Sequence, residues 1–232
     1  MKKILTLLLA ISLIICAVGC QPKVDPNQKS DGVMTHAEYM AAAVGDDVVI
    51  EGFVQAKQSW WNNKGTFYLQ DGTGGYFIYE MPCTESEYES LVPGTKIQVT
   101  GKRADYAGMD EVASVTDWKI VGTDTYIATP KNLTDTLANE AELKKCNGML
   151  AAFDDMTVVS VTYKNGTPGD DIYVKLSKGG VEYDFCIEVY LTGTSTDVYA
   201  AVGELVAGDV IDVEGFVYWY NGINTHITKV TK

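Results

Sequence analysis

Histidine and carboxylate side chains could perform acid–base chemistry in this chain, but their spacing does not favour it. The 232-residue sequence has two histidines, His36 and His226, with no serine or cysteine at the spacing of a nucleophile. Its adjacent acidic pairs are Asp46-Asp47, Asp154-Asp155 and Asp170-Asp171. Neighbours on a strand point to opposite faces, so such pairs make poor acid–base partners. We therefore predict that the protein is not an enzyme.

Metal binding is not predicted either. Beyond the first twenty residues the cysteines are Cys83, Cys146 and Cys186, which show no CxxC spacing and no nearby histidine, so a zinc site is not expected. The run NGTPGDD at 165–171 lacks the spaced acidic ligands of a calcium loop. We predict no metal, no cofactor and three buried thiols. A disulfide between Cys146 and Cys186 stays open.

Aromatic side chains carry more information about binding. Stacking on a sugar ring or a base requires aromatic rings that are exposed side by side. Side chains alternate along the strand-like runs 66–69 and 76–79, so inward-facing neighbours would send Tyr68, Phe77 and Tyr79 outward. The complete candidate set is Trp60, Trp61, Tyr68, Phe77, Tyr79 and Tyr106.

Five short runs of period two would position these aromatics. They are DVVIEGFV (47–54), TFYL (66–69), YFIY (76–79), KIQVTGK (96–102) and EVASV (111–115). DGTGG at 71–75 predicts a hairpin turn between the second and third runs. Thr84 and Glu87 have capping-box spacing and Pro93-Gly94 follows, which predicts one short helix between the third and fourth strands.

This order, together with the segments FYLQDGTGG and PGTKIQVTG, resembles the OB-fold, a five-stranded Greek-key barrel. The resemblance implies a binding surface on the outer face of strands two and three and on the loops from strand one to two and from four to five. All six candidate aromatics would converge there. An alternative stays open, in which they pack against a neighbouring barrel or the helix at 35–43.

The same order of runs returns in residues 139–232. LVPGTKIQVTG at 91–101 matches LVAGDVIDVEG at 205–215, an offset of 114 residues that also aligns Gly108 with Gly222. Glycine inside a strand marks a sharp bend in a small barrel, as we expect at Gly101 and Gly215. We therefore predict an all-β protein with short inserted helices, built from two tandem five-stranded Greek-key OB-fold barrels.

The first twenty residues, MKKILTLLLAISLIICAVGC, have a basic start and an apolar run too short to span a bilayer comfortably. The ending AVGC resembles the lipobox of bacterial lipoproteins, although Leu is commoner there than Ala17. The resemblance implies a signal peptide at 1–19 and lipidation of Cys20 by several acyl chains such as palmitate, which anchor firmly. An ordinary secretory signal is the alternative.

These features divide the chain into five segments. After the signal peptide, residues 20–34 have two prolines and no aromatics, which predicts a disordered tether that begins with the lipidated Cys20. Residues 35–122 form the first barrel and 139–232 the second. Residues 123–138 form a linker whose apolar members favour packing against the barrels. We expect His36 to be solvated at a helix start and His226 to lie in a barrel wall.

Charge restricts the function further. The net charge is −13, Arg103 is the single arginine, and acidic residues outnumber basic ones in both barrels. Such a surface repels phosphates and anionic lipid head groups. The overall resemblance is to tandem OB-fold lipoproteins of bacteria and implies no particular activity.

Three functional hypotheses follow for a protein that is lipid-anchored on the extracytoplasmic side of a membrane in the bacterial cell envelope. The first is a non-enzymatic binding module that takes an uncharged ligand such as a glycan on the aromatic face of the first barrel. The second is an adaptor that contacts another envelope protein. The third is single-stranded nucleic-acid binding, which the charge disfavours. The choice between inner and outer membrane stays open.

Overall fold

The computed structural model describes residues 24–232. The predicted signal peptide and the predicted lipidation site at Cys20 lie outside the described residues and stay predictions. Within the described range, every helix is too short or too polar to cross a bilayer.

The first half of the chain forms a closed five-stranded barrel. Its elements are α1 (His36–Ala41), β1 (Asp47–Lys57), β2 (Lys64–Gln70), β3 (Gly75–Pro82), α2 (Glu85–Ser90), β4 (Thr95–Tyr106) and β5 (Met109–Thr125). The strands pair in the order β1-β2-β3-β5-β4, β4 closes on β1, and β3 runs parallel to β5. This is the OB order of strands with the inserted helix that the sequence predicted.

The inserted helix α2 begins as predicted. Thr84 Oγ1 accepts a hydrogen bond from the amide of Glu87, and the Glu87 carboxylate accepts one from the amide of Thr84 at 2.7 Å. These reciprocal bonds satisfy amides that a helix start leaves without partners. The helix stays short because the segment Pro93-Gly94 follows and returns the chain to β4.

The second half repeats this order of strands. Its elements are β6 (Lys131–Asn132), a 3₁₀ turn (Thr134–Thr136), α3 (Glu140–Lys144), β7 (Leu150–Tyr163), β8 (Ile172–Lys178), β9 (Val181–Ile187), α4 (Val189–Thr192), α5 (Asp197–Gly203), β10 (Val210–Phe216) and β11 (Asn224–Thr231). The sheet has the order β10-β11-β9-β8-β7-β6, with an additional pairing between β10 and β7. Its parallel pair, β9 with β11, corresponds to β3 with β5.

Two glycines inside strands lie where a partner backbone approaches closely. A Cβ atom on Gly215 would lie 2.4 Å from the carbonyl oxygen of His226, and one on Gly101 would lie 2.8 Å from that of Ala113. The pairing register shifts at or beside each glycine. Both positions therefore have the bend that the repeat predicted.

Residues 24–34 lie against the first barrel, so the prediction of a disordered tether over 20–34 does not describe them. Lys29 Nζ lies 2.6 Å from Asp71 Oδ2 and also donates a hydrogen bond to the carbonyl oxygen of Glu51. The Ser30 amide donates to the Glu51 carboxylate, and the Met34 amide donates to the carbonyl oxygen of Val49. The polar composition of the segment hid this attachment, because it depends largely on polar contacts with residues distant in the sequence.

The two halves are packed against each other. Residues 123–138, the predicted linker, bury Leu133 and Leu137, and β6 pairs with β7. Beside this linker a Cβ atom on Gly75 would lie 2.3 Å from the carbonyl carbon of Gly148, which has a positive φ of 74°. The backbones of the two halves therefore meet at a point with no room for a side chain.

Candidate binding site at the junction of the two halves

The aromatic face predicted on the first barrel is buried at its centre. Side chains alternate as predicted: Phe67 and Ile78 lie in the barrel core, whereas Tyr68 and Phe77 point outward into a second core with Phe216. Tyr68 is 0% exposed and Phe77 2% exposed. The second half covers the face on which Tyr68 and Phe77 lie, so neither ring is exposed as the stacking surface requires, although Phe77 lines the floor of a neighbouring depression.

Tyr68 makes specific contacts with the second half. Its ring stacks on Phe216 with 4.3 Å between centroids and 20° between planes, and its hydroxyl oxygen lies 2.8 Å from His226 Nδ1. Burial lowers the pKa of His226 to about 3 and raises the pKa of Tyr68. At neutral pH the imidazole is uncharged and the phenol is protonated, so the hydroxyl donates to Nδ1. His226 is thus a buried residue of the sheet wall.

His36 is buried, not solvated as predicted. Its ring covers Gly74, where a Cβ atom would lie 2.2 Å from ring atoms, and packs edge-on against Tyr76 at 5.3 Å between centroids. Burial lowers its pKa. The hairpin turn at 71–75 folds over the start of α1, an arrangement that helix-start composition does not indicate.

Three of the predicted aromatics meet a fourth from the second half around a groove. Trp60, Trp61 and Tyr79 line it together with Tyr190 of α4, and its volume is about 460 Å³. Trp61 is 79% exposed, Tyr190 64% and Tyr79 43%. We call this set of four residues, with Ser59, the indole groove.

Hydrogen bonds fix the walls of the indole groove. The Trp60 indole Nε1 donates to the carbonyl oxygen of Cys83 at 3.0 Å. Across the junction, the amide of Ser59 donates to the carbonyl oxygen of Tyr190 at 2.7 Å. The groove also contains Lys64, which forms an ion pair with Glu80 at 2.6 Å.

A second depression adjoins the groove at Gln58 and Tyr79. It has a volume of about 500 Å³, and its wall includes several tyrosines and three carboxylates. We call it the tyrosine cleft and define it by Tyr79, Tyr173, Tyr218, Tyr220, Asp171, Asp184 and Glu188. Tyr106, the remaining predicted aromatic, is exposed beside it, with its ring 6.1 Å from Tyr220.

Sequence reasoning missed the contribution of the second half to both depressions. Tyr190, Tyr173 and Glu188 belong to the second half, in which the sequence predicted no ligand-binding residue. Tyr220, on the loop after β10, is exposed as well. The duplicated order of strands was the one available signal, and it does not indicate which face the second copy covers.

Among residues 24–232, no cluster of His, Cys, Asp and Glu is arranged to hold a metal ion. The three cysteines Cys83, Cys146 and Cys186 are buried free thiols, as predicted. Burial raises the pKa of Glu111 and of Glu188 to about 7. Glu188 lines the tyrosine cleft, and Glu111 lies near Tyr79 and Tyr218 of the same cleft. Carboxyl groups with raised pKa values are more frequent at functional sites than elsewhere.

Comparisons with known proteins identify no relative by sequence. No protein-family model matches the chain, and no curated protein matches it. Among solved structures, a murine DNA-binding protein bound to double-stranded DNA has 13% identity and a TM-score of 0.37 over 81% of this chain and 97% of that one. The HINb domain of p204 has 11% identity and a TM-score of 0.35 over 82% and 98%.

Asparaginyl-tRNA synthetase from Entamoeba histolytica has 20% identity and a TM-score of 0.33 over 44% of this chain. The matched part of this chain spans 26% of the synthetase. At TM-scores this low, these likenesses assign neither a family nor a ligand.

Proposed function

We propose that the protein is a non-enzymatic, lipid-anchored binding module of the bacterial cell envelope, and that its indole groove binds an uncharged sugar ring of a glycan. The observation that carries this proposal is the exposure of Trp61, Tyr79 and Tyr190 around one groove. Exposed aromatic rings around one groove form a surface on which a sugar ring can stack.

The groove is suited to a neutral polar ring because its walls are fixed before a ligand arrives. The bonds of Trp60 to Cys83 and of Ser59 to Tyr190 hold aromatic residues of both halves. Preorganised walls reduce the ordering cost of binding. Gln58, Ser59 and Thr66 supply amide and hydroxyl groups that sugar hydroxyls can hydrogen-bond.

The charges around the groove favour an uncharged ligand over a nucleic acid. Lys64, the cation of the groove, already pairs with Glu80, and Arg103 is buried in an ion pair with Asp110. A phosphate backbone would approach a chain with a net charge of −13 without a free basic patch in this groove. An uncharged ligand meets no such opposition.

The wider architecture in this proposal is a tandem of OB barrels close to a membrane. The repeated strand order, including the parallel pair β9–β11, supports a second barrel of the same kind. The ending AVGC supports an anchor at Cys20 on the extracytoplasmic side. Because Lys29, nine residues after Cys20, contacts the first barrel, such an anchor would hold that barrel near the membrane surface.

An adaptor function is the alternative, and one observation favours it. The face that OB barrels commonly use for ligands is occupied here by the second half, which leaves Trp61 and Tyr190 exposed at its border. Aromatic residues are enriched at protein interfaces. In this alternative, the same rings contact another envelope protein.

A glycan array probed with the purified full-length chain tests the proposal. We expect the wild type to bind at least one glycan of the array. The variants Trp61→Ala and Tyr190→Ala should each bind that glycan roughly ten- to hundredfold more weakly, since a stacked ring contributes ~1–3 kcal/mol. Tyr220→Ala removes an exposed tyrosine outside the groove and should bind like the wild type. The glycan proposal fails if no glycan binds, and capture of an envelope protein that depends on Trp61 would then establish the adaptor.

A further inference from the structure

We propose that the tyrosine cleft is a second binding site and that it takes an organic ammonium group. This site goes beyond the glycan proposal and does not depend on it. Tyr173 and Tyr220 line the cleft alone, whereas Trp61 and Tyr190 line the indole groove alone. The two proposals can therefore fail separately.

The aromatic part of the cleft comes from both halves. Tyr79 is on β3, Tyr173 on β8, and Tyr218 and Tyr220 follow β10. Tyr218 is held by stacking on His226, with 4.1 Å between centroids and 21° between planes. Tyrosine rings attract a cation through their negatively charged faces, most strongly where water is partly excluded. A half-buried cleft with four tyrosines provides such faces.

The charged part of the cleft is acidic. Asp171, Asp184 and Glu188 line it, and none of the lysines of residues 24–232, nor Arg103, does. Lys164 lies 2.9 Å from Asp171 and Lys175 lies 2.8 Å from Asp184, both outside the lining. Each of these lysines also pairs with a carboxylate outside the lining, Lys164 with Asp170 and Lys175 with Glu182. They therefore offset Asp171 and Asp184 only in part and leave Glu188 in excess.

Glu188 is the carboxylate in excess. Within the part of the chain that the structure describes, it forms no ion pair, although Gln58 Nε2 donates to its Oε2 at 3.1 Å and it caps α4. Burial raises its pKa to about 7, which marks a carboxylate that lacks a cation in a partly desolvated place. An ammonium group in the cleft would supply that cation.

Neighbouring groups favour the same ligand charge. Glu111 pairs with Phe77 across β3 and β5, and burial followed by the charge of Asp105 raises its pKa to about 7. His226 is uncharged at neutral pH, so it adds no positive charge to the cleft. An anionic ligand would be repelled here, and a neutral one would leave Glu188 without a counter-charge.

Matched probe pairs test the proposal by calorimetry or NMR titration of the full-length chain. Choline and its uncharged isostere 3,3-dimethylbutan-1-ol form one pair, and butylamine and 1-butanol form the other. We expect one cation of these pairs to bind at least about tenfold more tightly than its neutral partner. Preference for choline indicates a quaternary head group, and preference for butylamine indicates a primary amine such as a lysine side chain.

Variants locate the site. Glu188→Gln keeps the size and a capping oxygen, and it should weaken the cation severalfold while leaving the neutral isostere unaffected. Tyr173→Leu and Tyr220→Leu remove exposed rings and should weaken the cation as well. Tyr190→Leu, which changes only the indole groove, is the matched control and should not. Equal binding of cation and isostere, no binding of either cation, or indifference to Glu188→Gln would each overturn the proposal.

Discussion

The hydroxyl oxygen of Tyr68 on β2 and Nδ1 of His226 on β11 lie 2.8 Å apart, although the two residues are 158 positions apart in the chain. Both side chains are buried, and the Tyr68 ring also stacks on Phe216. The outer face of the first barrel and the wall of the second half thus share one core. Changes in this pair should therefore affect the stability of both halves.

Tyr68→Phe keeps the ring and removes the hydroxyl, which leaves Nδ1 of a buried, neutral His226 without its donor. We expect the free energy of unfolding to fall by about 1–3 kcal/mol, measured by urea unfolding. Tyr220→Phe, at an exposed tyrosine, should change it by less than about 0.5 kcal/mol. Equal effects of the two variants would show that the buried hydrogen bond adds nothing.

Glu111 should make stability depend on pH. Its folded pKa, about 7, lies above its ordinary value of 4.5, so its contribution is fully present below pH 4.5 and is lost as the pH rises through 7. Glu111→Gln removes the buried charge and should stabilise the protein at pH 8 by about 1–3 kcal/mol, with no gain near pH 4.5. Thermal unfolding at both pH values checks this, with exposed Glu204→Gln as the control. A gain of the same size at both pH values would contradict it.

Gly215→Ala should destabilise the protein, because the added Cβ atom would lie 2.4 Å from the carbonyl oxygen of His226 on the paired strand. We expect a loss of about 1–3 kcal/mol and a lower melting temperature. Gly101→Ala, at the equivalent point of the first half, should act in the same direction. Melting temperatures within a degree of the wild type would mean that neither bend requires glycine.

Lys29→Met tests the attachment of residues 24–34. The substitution leaves the buried carboxylate of Asp71 without its cation, and we expect a loss of about 3 kcal/mol with faster proteolysis of this segment. Lys102→Met breaks an exposed pair with Asp47 and should cost less than about 1 kcal/mol. If the segment is cleaved as slowly in Lys29→Met as in wild type, the ion pair does not hold it.

Cys20→Ala tests the predicted anchor. The substitution removes the thiol that would carry the lipid, so incorporation of labelled palmitate should disappear and the protein should leave the membrane fraction or stay uncleaved. Cys16→Ala, four residues earlier in the same apolar run, should keep the label. Unchanged labelling of Cys20→Ala would exclude the lipoprotein assignment.

Features encoded within a few neighbouring residues were predictable from the sequence. The turn at 71–75, the cap formed by Thr84 and Glu87, and the bend at Gly101 each depend on local chemistry, and each is present in the structure. The alternation that sends Tyr68 outward was predictable for the same reason, because strands have a period of two.

Relations between distant segments were not predictable. Periodicity shows that Tyr68 leaves the barrel, but it does not show that Phe216 meets it there. Lys29 is one polar residue in a polar segment, and its partner Asp71 is recognisable only once the hairpin turn has formed. Tyr190 enters the indole groove through α4, a single helical turn with no counterpart in the first half.

The contact between Gly75 and Gly148 has a kinetic consequence for both depressions. Because the two backbones touch there, any sliding of one half past the other would first have to open this contact. A ligand would therefore meet walls that already have their final spacing. Its association should show a single phase whose rate rises linearly with ligand concentration, without the plateau that a closing step imposes.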